Sequence, residues 1–107
     1  MIKKGGARMR EHPLKIFEEL DPELFGLVGR TREFAFADGA LPKKFKLLIA
    51  MALDAAHGAS EGVKTLAQAA KQAGSTKEEL TEALRVAHYV SGVGSVYTAA
   101  RALRELF

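Results

Sequence analysis

The sequence predicts an all-α fold of five or six helices packed as a bundle. Valine and isoleucine are scattered, and no segment alternates apolar and polar residues for long enough to indicate a strand. Helix signals recur instead: a proline or a capping residue opens most of the apolar-periodic segments, and glycine follows several of them. Small residues dominate the middle of the chain, and small side chains let helix axes approach closely. We therefore expect a tightly packed helical bundle.

Length and composition indicate one domain over residues 1–107. Hydrophobic residues make up 48% of the chain and charged residues 27%, which is ordinary for a soluble globular domain. No apolar run approaches the roughly 20 residues that span a bilayer, and the basic start lacks the apolar stretch of a signal peptide. We expect a cytoplasmic protein without a membrane partner, in which residues 1–12 form a basic, flexible arm.

Charge and the lack of cysteine exclude several function classes. The net charge is only +3, and no basic stripe with interleaved aromatic residues or recognition helix indicates nucleic-acid binding. Without cysteine there are no disulfides, no thiolate nucleophiles and few routes to structural zinc. The three histidines lack metal-ligand spacing, so we expect no metal and no cofactor.

Two helices are predicted in the first third of the chain. Pro13 can open a short helix that runs to Leu20. Asp21 is then an N-cap and Pro22 the first helical residue of a second helix, which we expect to end near Phe36. Two glycines inside this second helix weaken it.

The third predicted helix is the most apolar part of the chain. It opens at Pro42, and between residues 47 and 56 every residue except Asp54 is apolar. Gly58 breaks it. A helix that is apolar all round is buried all round, and so small a domain achieves this only with neighbouring subunits. The pattern therefore predicts a homo-oligomer.

Glycine and capping signals bound the remaining helices. The fourth helix is predicted to stop at Gly74. Two overlapping capping boxes follow, Ser75 with Glu78 and Thr76 with Glu79, and open the fifth helix. The last helix carries its apolar residues on one face: Val93, Val96, Tyr97, Ala100, Leu103 and Phe107.

Polar side chains crowd the helix joint, where the third helix meets the fourth. Asp54 lies three positions before His57 on the same face, a spacing at which the carboxylate can orient the imidazole for proton transfer. Alternatively, Asp54 caps the broken helix end or pairs with a lysine or arginine across a subunit interface. Ser60 and Glu61 open the next helix, whose free amides favour an anion such as a small organic acid. These four residues, with His88 of the fifth helix, form the candidate pocket.

The ordered set of segments resembles a known superfamily. Residues 46–53 (KLLIAMAL), the helix joint, residues 69–74 (AAKQAG) and residues 76–80 (TKEEL) look like the core of the carboxymuconolactone decarboxylase and alkylhydroperoxidase D superfamily. The resemblance covers roughly residues 38–107. It implies an all-helical fold that assembles as a trimer or as a hexamer built from trimers.

The same resemblance locates a lost reaction centre. Redox members carry a glutamate in one helix and C-x-x-C-x-x-x-H at the start of the next. Those positions fall on Leu47, Ala59, Gly62 and Leu66. Without a thiolate, peroxide reduction by that mechanism is excluded. The decarboxylases resemble the redox members in keeping the histidine, and because Leu66 cannot move a proton, we do not expect that activity either.

Two functions follow from these observations. The first is a divergent enzyme or binder for a small organic acid, without thiol peroxidase chemistry, whose pocket lies at the helix joint. The alternative is a non-catalytic oligomeric scaffold or interaction protein that lost the active site of its family. The sequence leaves open whether the chain is an enzyme, which substrate it takes, and whether it is a trimer or a hexamer.

Overall fold

Helices account for all the regular structure of the part of the chain that the structure describes. The computed structural model describes residues 12–107, and no strand occurs among them. The helices are α1 Phe17–Leu20, α2 Pro22–Phe36, α3 Lys43–Ala56, α4 Ser60–Gln72, α5 Lys77–Ser91 and α6 Gly94–Leu103. The predicted all-α class is confirmed. No helix within residues 12–107 has the length and apolar character needed to cross a membrane.

The chain divides into two compact units, Met1–Ala37 and Asp38–Phe107. The described part of the first unit holds α1 and α2. The predicted start of α2 is confirmed, because the Asp21 side chain accepts a hydrogen bond from the Leu24 amide at 3.0 Å. Neither helix contains a buried residue. The single-domain organisation stays a prediction, and the predicted basic arm lies outside the described residues except for His12.

The second unit is a four-helix core in which α3 contacts α4, α5 and α6. Its centre is filled by Met51, Val63 and Leu80, whose side chains are fully buried. Around them, each of these helices buries at least one alanine, namely Ala55, Ala67, Ala70, Ala87, Ala99 and Ala102, and small side chains let helix axes approach closely. The tight packing expected from the small residues stays a prediction.

Burial of α3 is one-sided within the chain. Leu47, Leu48 and Met51 are buried, whereas Ile49 and Leu53 are 50% and 55% exposed. The expectation that this helix is buried all round is therefore not met by one chain alone. Its exposed side is wide enough to form part of a surface groove, described below.

The boundary between α4 and α5 forms at the predicted glycine and capping residues, with one correction. Gly74 adopts a φ of 103°, which L-residues with a side chain rarely adopt, and ends the helical segment. Thr76 and Glu79 form the predicted capping box, with reciprocal hydrogen bonds of 3.0 and 2.9 Å. The second predicted box is wrong: Ser75 is buried, and its Oγ has no hydrogen-bond partner in the described chain.

The last helix turns its small residues to the core. Its buried residues are Ser95, Thr98, Ala99 and Ala102. The apolar face that the sequence singles out points away from the core, and Tyr97 is 65% exposed. Small side chains on the inner face let α6 lie close to α4 and α5.

Ion pairs connect distant segments of the second unit. Lys44 of α3 bonds the carboxylate of Glu79 at the start of α5, with a distance of 3.4 Å. Lys64 of α4 pairs with Glu105, which follows α6. The hydrogen bond from the Thr76 amide is the main reason that the pKa of Glu79 lies below its ordinary value, and Lys44 adds to it.

Candidate functional site

The helix joint is closed by backbone hydrogen bonds. His57 is the C-cap of α3, and the amide of Ala59 donates to the carbonyl of Asp54 at 2.9 Å. Gly58 has a φ of 80°, which lets the chain reverse between the two helices. The N-cap of α4 is Ala59, and no side chain caps it by a hydrogen bond. The first turn of α4 therefore presents backbone amides at the joint.

The carboxylate of Asp54 lies directly against Gly62 in that first turn. A Cβ atom added to Gly62 would lie 2.0 Å from Asp54 Oδ2 and 2.8 Å from Asp54 Cγ. Real Cβ atoms do not approach other atoms so closely, so the carboxylate can keep this position only above a glycine. Asp54 is half-buried, and among residues 12–107 no side-chain hydrogen bond or ion pair to it is formed.

This position gives Asp54 an electrostatic role. The N-terminal end of a helix carries a partial positive charge from its unpaired amides, and a carboxylate beside it is stabilising. The alternative that Asp54 caps the broken helix end, or pairs with a lysine or arginine across a subunit interface, stays a prediction, because no side chain caps α4 by a hydrogen bond and the C-cap of α3 is His57. The position of Asp54 also means that the carboxylate already occupies the place where an anionic ligand would meet the amides of α4.

The other candidate residues are spread over different surroundings. His57 and Glu61 are exposed, and Ser60 is half-buried at the first position of α4. No hydrogen bond joins His57 to Asp54 in the described chain. His88 is exposed on α5 and lies in a separate groove. The structure thus places Asp54 against Gly62 and Ser60 at the first position of the same helix, whereas His88 lines a depression on α5.

The four positions of the lost reaction centre are all structurally accounted for. Leu47 is a core residue of α3, and Ala59 is the N-cap of α4. Gly62 lies under the Asp54 carboxylate, and Leu66 is half-buried one turn further along α4. No group of three histidine, aspartate or glutamate side chains within residues 12–107 could hold a metal ion.

An apolar groove runs between α3 and α5 on the surface of the second unit. Its volume is about 400 Å³. It is lined by Phe45, Leu48, Ile49, Ala52, Leu53, Ala56, Ala83, Val86, Ala87 and Val90. Several of these side chains are largely exposed, with Val90 at 75%. One end of the groove, at Ala56, adjoins His57 of the helix joint.

Two depressions that share the lining residue Thr81 lie along the other side of α5, toward α6, and together they are called the basic groove. Its first part is lined by Lys77, Leu80, Thr81, Ala100, Leu103, Arg104 and Phe107. Its second part shares Thr81 and is lined further by Leu84, Arg85, His88 and Val96. Leucine, valine and alanine form its floor, and no aspartate or glutamate lines it in the described chain.

Sequence reasoning missed the outer apolar positions of α5. Val86 and Val90 are four residues apart and lie one helical face away from the buried Leu84 and Ala87. The signal for them is a second apolar stripe on α5, beside the stripe that forms the core. The basic groove was missed because Arg85 and Arg104 are distant in sequence, so only the packing of the helices brings them to one side of α5.

Comparison with known proteins supports the family resemblance that the sequence shows. The profile of the carboxymuconolactone decarboxylase family matches residues 22–105, so it extends into α2, beyond the segments from which the resemblance was drawn. An uncharacterized protein from Methanocaldococcus jannaschii is 29% identical over 94 residues, covering 87% of this chain and 90% of that protein. No solved structure matches the chain. The family match spans most of the chain, and this protein belongs to the carboxymuconolactone decarboxylase family.

Proposed function

We propose that this protein is a cytoplasmic, non-catalytic homo-oligomer, a trimer or a hexamer, which uses the family scaffold for assembly or interaction. The observation that carries the proposal is the apolar groove between α3 and α5. Exposed apolar surface concentrated in one groove is typical of interaction sites, and every residue that lines this groove is apolar. The second copy that we expect from the sequence would cover this surface.

The groove residues are suited to a subunit contact. Ile49, Leu53, Val86 and Val90 are large side chains that one chain leaves half-exposed or more. Burying an aliphatic side chain fully contributes about 1.5–3 kcal/mol, so covering four partly exposed ones is a substantial driving force for association. The apolar character of α3 on all sides is then explained: one side fills the core, and the other meets a neighbour.

The proposal that the protein is non-catalytic rests on the residues at the helix joint. The thiol and histidine positions of the family hold Ala59, Gly62 and Leu66. Asp54 stabilises the start of α4, and His57 is exposed without a hydrogen bond to it in the described chain. These side chains are therefore not arranged as a hydrogen-bonded base and partner, which supports a role without catalysis.

The test is the mass of the protein in solution, measured by sedimentation velocity. Leu53→Glu places a charge in the apolar groove and should dissociate the oligomer. Leu41→Glu is the matched control, because Leu41 is similarly exposed but does not line the groove. A wild-type protein that is monomeric at every concentration would refute the proposal, as would an oligomer that Leu53→Glu leaves intact.

A second candidate function is the binding of a small organic acid at the helix joint. The observation that favours it is that exposed His57 directly follows Ala56, which lines the apolar groove. A ligand could place its apolar part in the groove and its acid group against the imidazole. Against it, the Asp54 carboxylate would repel the same acid group.

A thermal-shift screen of small organic acids decides between the two functions. Ligand binding predicts a melting temperature that rises with acid concentration in the wild type and does not rise in His57→Ala. The assembly function predicts no shift with any acid.

A further inference from the structure

The first unit carries an acidic segment, residues 16–28, with the sequence IFEELDPELFGLV. It contains four acidic residues and no lysine or arginine: Glu18, Glu19, Asp21 and Glu23 are the acidic ones. Its apolar side chains are unusually exposed, with Leu20 at 67%. Its own unit therefore does not bury the apolar part of the segment, which needs another surface to cover it.

The acidic and apolar side chains of this segment share one surface. Asp21, Glu23, Leu24 and Leu27 line a common shallow depression at the start of α2, and Arg30 lines it as well, so acidic residues outnumber the one cation there. Two of the acidic residues are already engaged, because Asp21 caps α2 and Glu18 pairs with Lys15 at 3.2 Å. Glu19 and Glu23 make no ion pair within the described chain. The segment thus offers leucines flanked by available carboxylates.

The basic groove of the second unit has the opposite character. Lys77, Arg85 and Arg104 stand at its edges around an apolar floor. Lys77 and Arg85 make no ion pair within residues 12–107. From Lys77 to His88 the groove follows about three turns of α5, roughly 17 Å, which is long enough to hold leucines at helical spacing.

We propose that the basic groove of one copy binds the acidic segment of a second copy. The leucines of the segment would cover the apolar floor, and Glu19 and Glu23 would meet the cations at the edges. Segment and groove are different surfaces of the same chain, so the contact is head-to-tail, and such a contact forms a ring when the rotation between copies closes and an open filament when it does not. A trimer is a ring of this kind.

This proposal adds a second contact between copies to the proposed function. It rests on that function only in requiring that copies of the chain associate. The two contacts differ in chemistry. The apolar groove has no charged residue among its lining residues, whereas the basic groove depends on charge for its choice of partner. Association through the basic groove should therefore weaken as salt is raised, and the contribution of the apolar groove should not.

Charge reversal tests the contact on both sides. One variant carries Lys77→Glu with Arg85→Glu, and another carries Glu19→Lys with Glu23→Lys. Sedimentation equilibrium at low salt should show association weakened about tenfold or more in each, because attraction becomes repulsion. The variant with all four changes should recover most of the lost affinity. A matched control, Lys43→Glu with Arg101→Glu, reverses two cations outside both grooves and should behave as wild type.

Cross-linking then shows whether the contact joins two copies. Because the chain has no cysteine, single cysteines can be placed without background reaction. A copy with Leu20→Cys and a differently tagged copy with Val96→Cys are mixed and treated with a bismaleimide. A link between the two tags is expected. A further variant carries both cysteines in one copy. If this variant forms a link within its chain, and the mixture forms no link between the two tags, the proposal is overturned.

The outcomes separate this inference from the proposed function. If Leu53→Glu dissociates the oligomer but neither charge reversal weakens association, the inference is wrong and the proposed function stands. If each reversal weakens association but the fourfold variant does not recover it, the inference is wrong as well. A wild-type protein that never associates contradicts both.

Discussion

Gly62→Ala probes the close approach of α3 and α4 at the helix joint. The new Cβ would lie 2.0 Å from Asp54 Oδ2 and 2.8 Å from Asp54 Cγ, while its distance to Asp54 Cβ would be an ordinary 3.5 Å. The α3 backbone can therefore stay in place, but the carboxylate must rotate away. The substitution thus displaces the charge of Asp54 from the first turn of α4.

Three effects set the size of the change. Alanine in place of glycine inside a helix stabilises by about 1 kcal/mol. Forcing an extra carbon into a filled site costs about 1–3 kcal/mol. Removing a carboxylate from a helix N-terminus costs about 0.3–1 kcal/mol more. The net expectation is a free energy of unfolding lower by about 1–2 kcal/mol, although alanine is the better helix former.

A double-mutant cycle measured by urea unfolding isolates this effect. In the Asp54→Ala background the same Gly62→Ala change meets no carboxylate and should stabilise by about 1 kcal/mol, so the coupling between the two sites is about 2 kcal/mol or more. Gly29→Ala is the control, since a Cβ at Gly29 meets nothing within 4 Å and should stabilise in any background. Additive effects of the two substitutions, within about 0.5 kcal/mol, would refute the proposed contact.

Three further predictions follow from the fold. Thr76→Ala removes the N-cap of α5 and should lower the free energy of unfolding by about 1 kcal/mol, whereas Ser75→Ala should cost nothing; equal losses in urea unfolding would contradict the single capping box. Met51→Ala should cost about 2–5 kcal/mol by the same measurement, and a loss well below that range would mean that the core collapses around the missing side chain. Because the pKa of Glu79 is lowered in the folded state, its carboxylate contributes stability above its ordinary pKa that is lost as the pH falls below it. Wild type should therefore lose more stability than Glu79→Gln between about pH 5 and about pH 3, and parallel losses would contradict this assignment.

The helix boundaries could be predicted because their chemistry is local. Asp21 followed by Pro22, and Thr76 followed by Glu79, satisfy the amides of a helix start with atoms only a few residues away. Gly74 ends a helical segment through its own backbone conformation. None of these features depends on what the rest of the chain does. The neighbouring Ser75 shows the limit, since burial rather than capping decides the surroundings of its hydroxyl.

The side of each helix that faces the core was harder to predict than the residues at which the helix begins and ends. Tyr97 belongs to the most apolar face of α6, but the smaller Ala99 and Ala102 face the core because they let the helices approach. On α3, apolar residues on every side do not indicate which side meets α4 and which side is left for another surface. Both choices depend on side-chain volumes across several helices at once.

The candidate site, too, could be predicted only in part from the sequence. The polar joint could be located from sequence, because Asp54 and His57 interrupt an apolar run next to a glycine break. That the Asp54 carboxylate lies on Gly62 could not, since the contact depends on how two helices pack across the joint. The spacing of three residues placed His57 on the same face as Asp54, but the end of α3 at His57 leaves the imidazole exposed.

Covalent footprinting of the apolar groove tests the central claim most directly. Hydroxyl radicals label exposed side chains, and mass spectrometry reads the labelling of each. If copies associate through this groove, Leu53 and Val90 will be protected in the wild-type protein at high concentration and will become reactive on dilution, while Leu41 labels equally in both. Strong labelling of Leu53 and Val90 at every concentration would show that the groove stays open to water, and the account of this protein as an assembly built on that surface would be wrong.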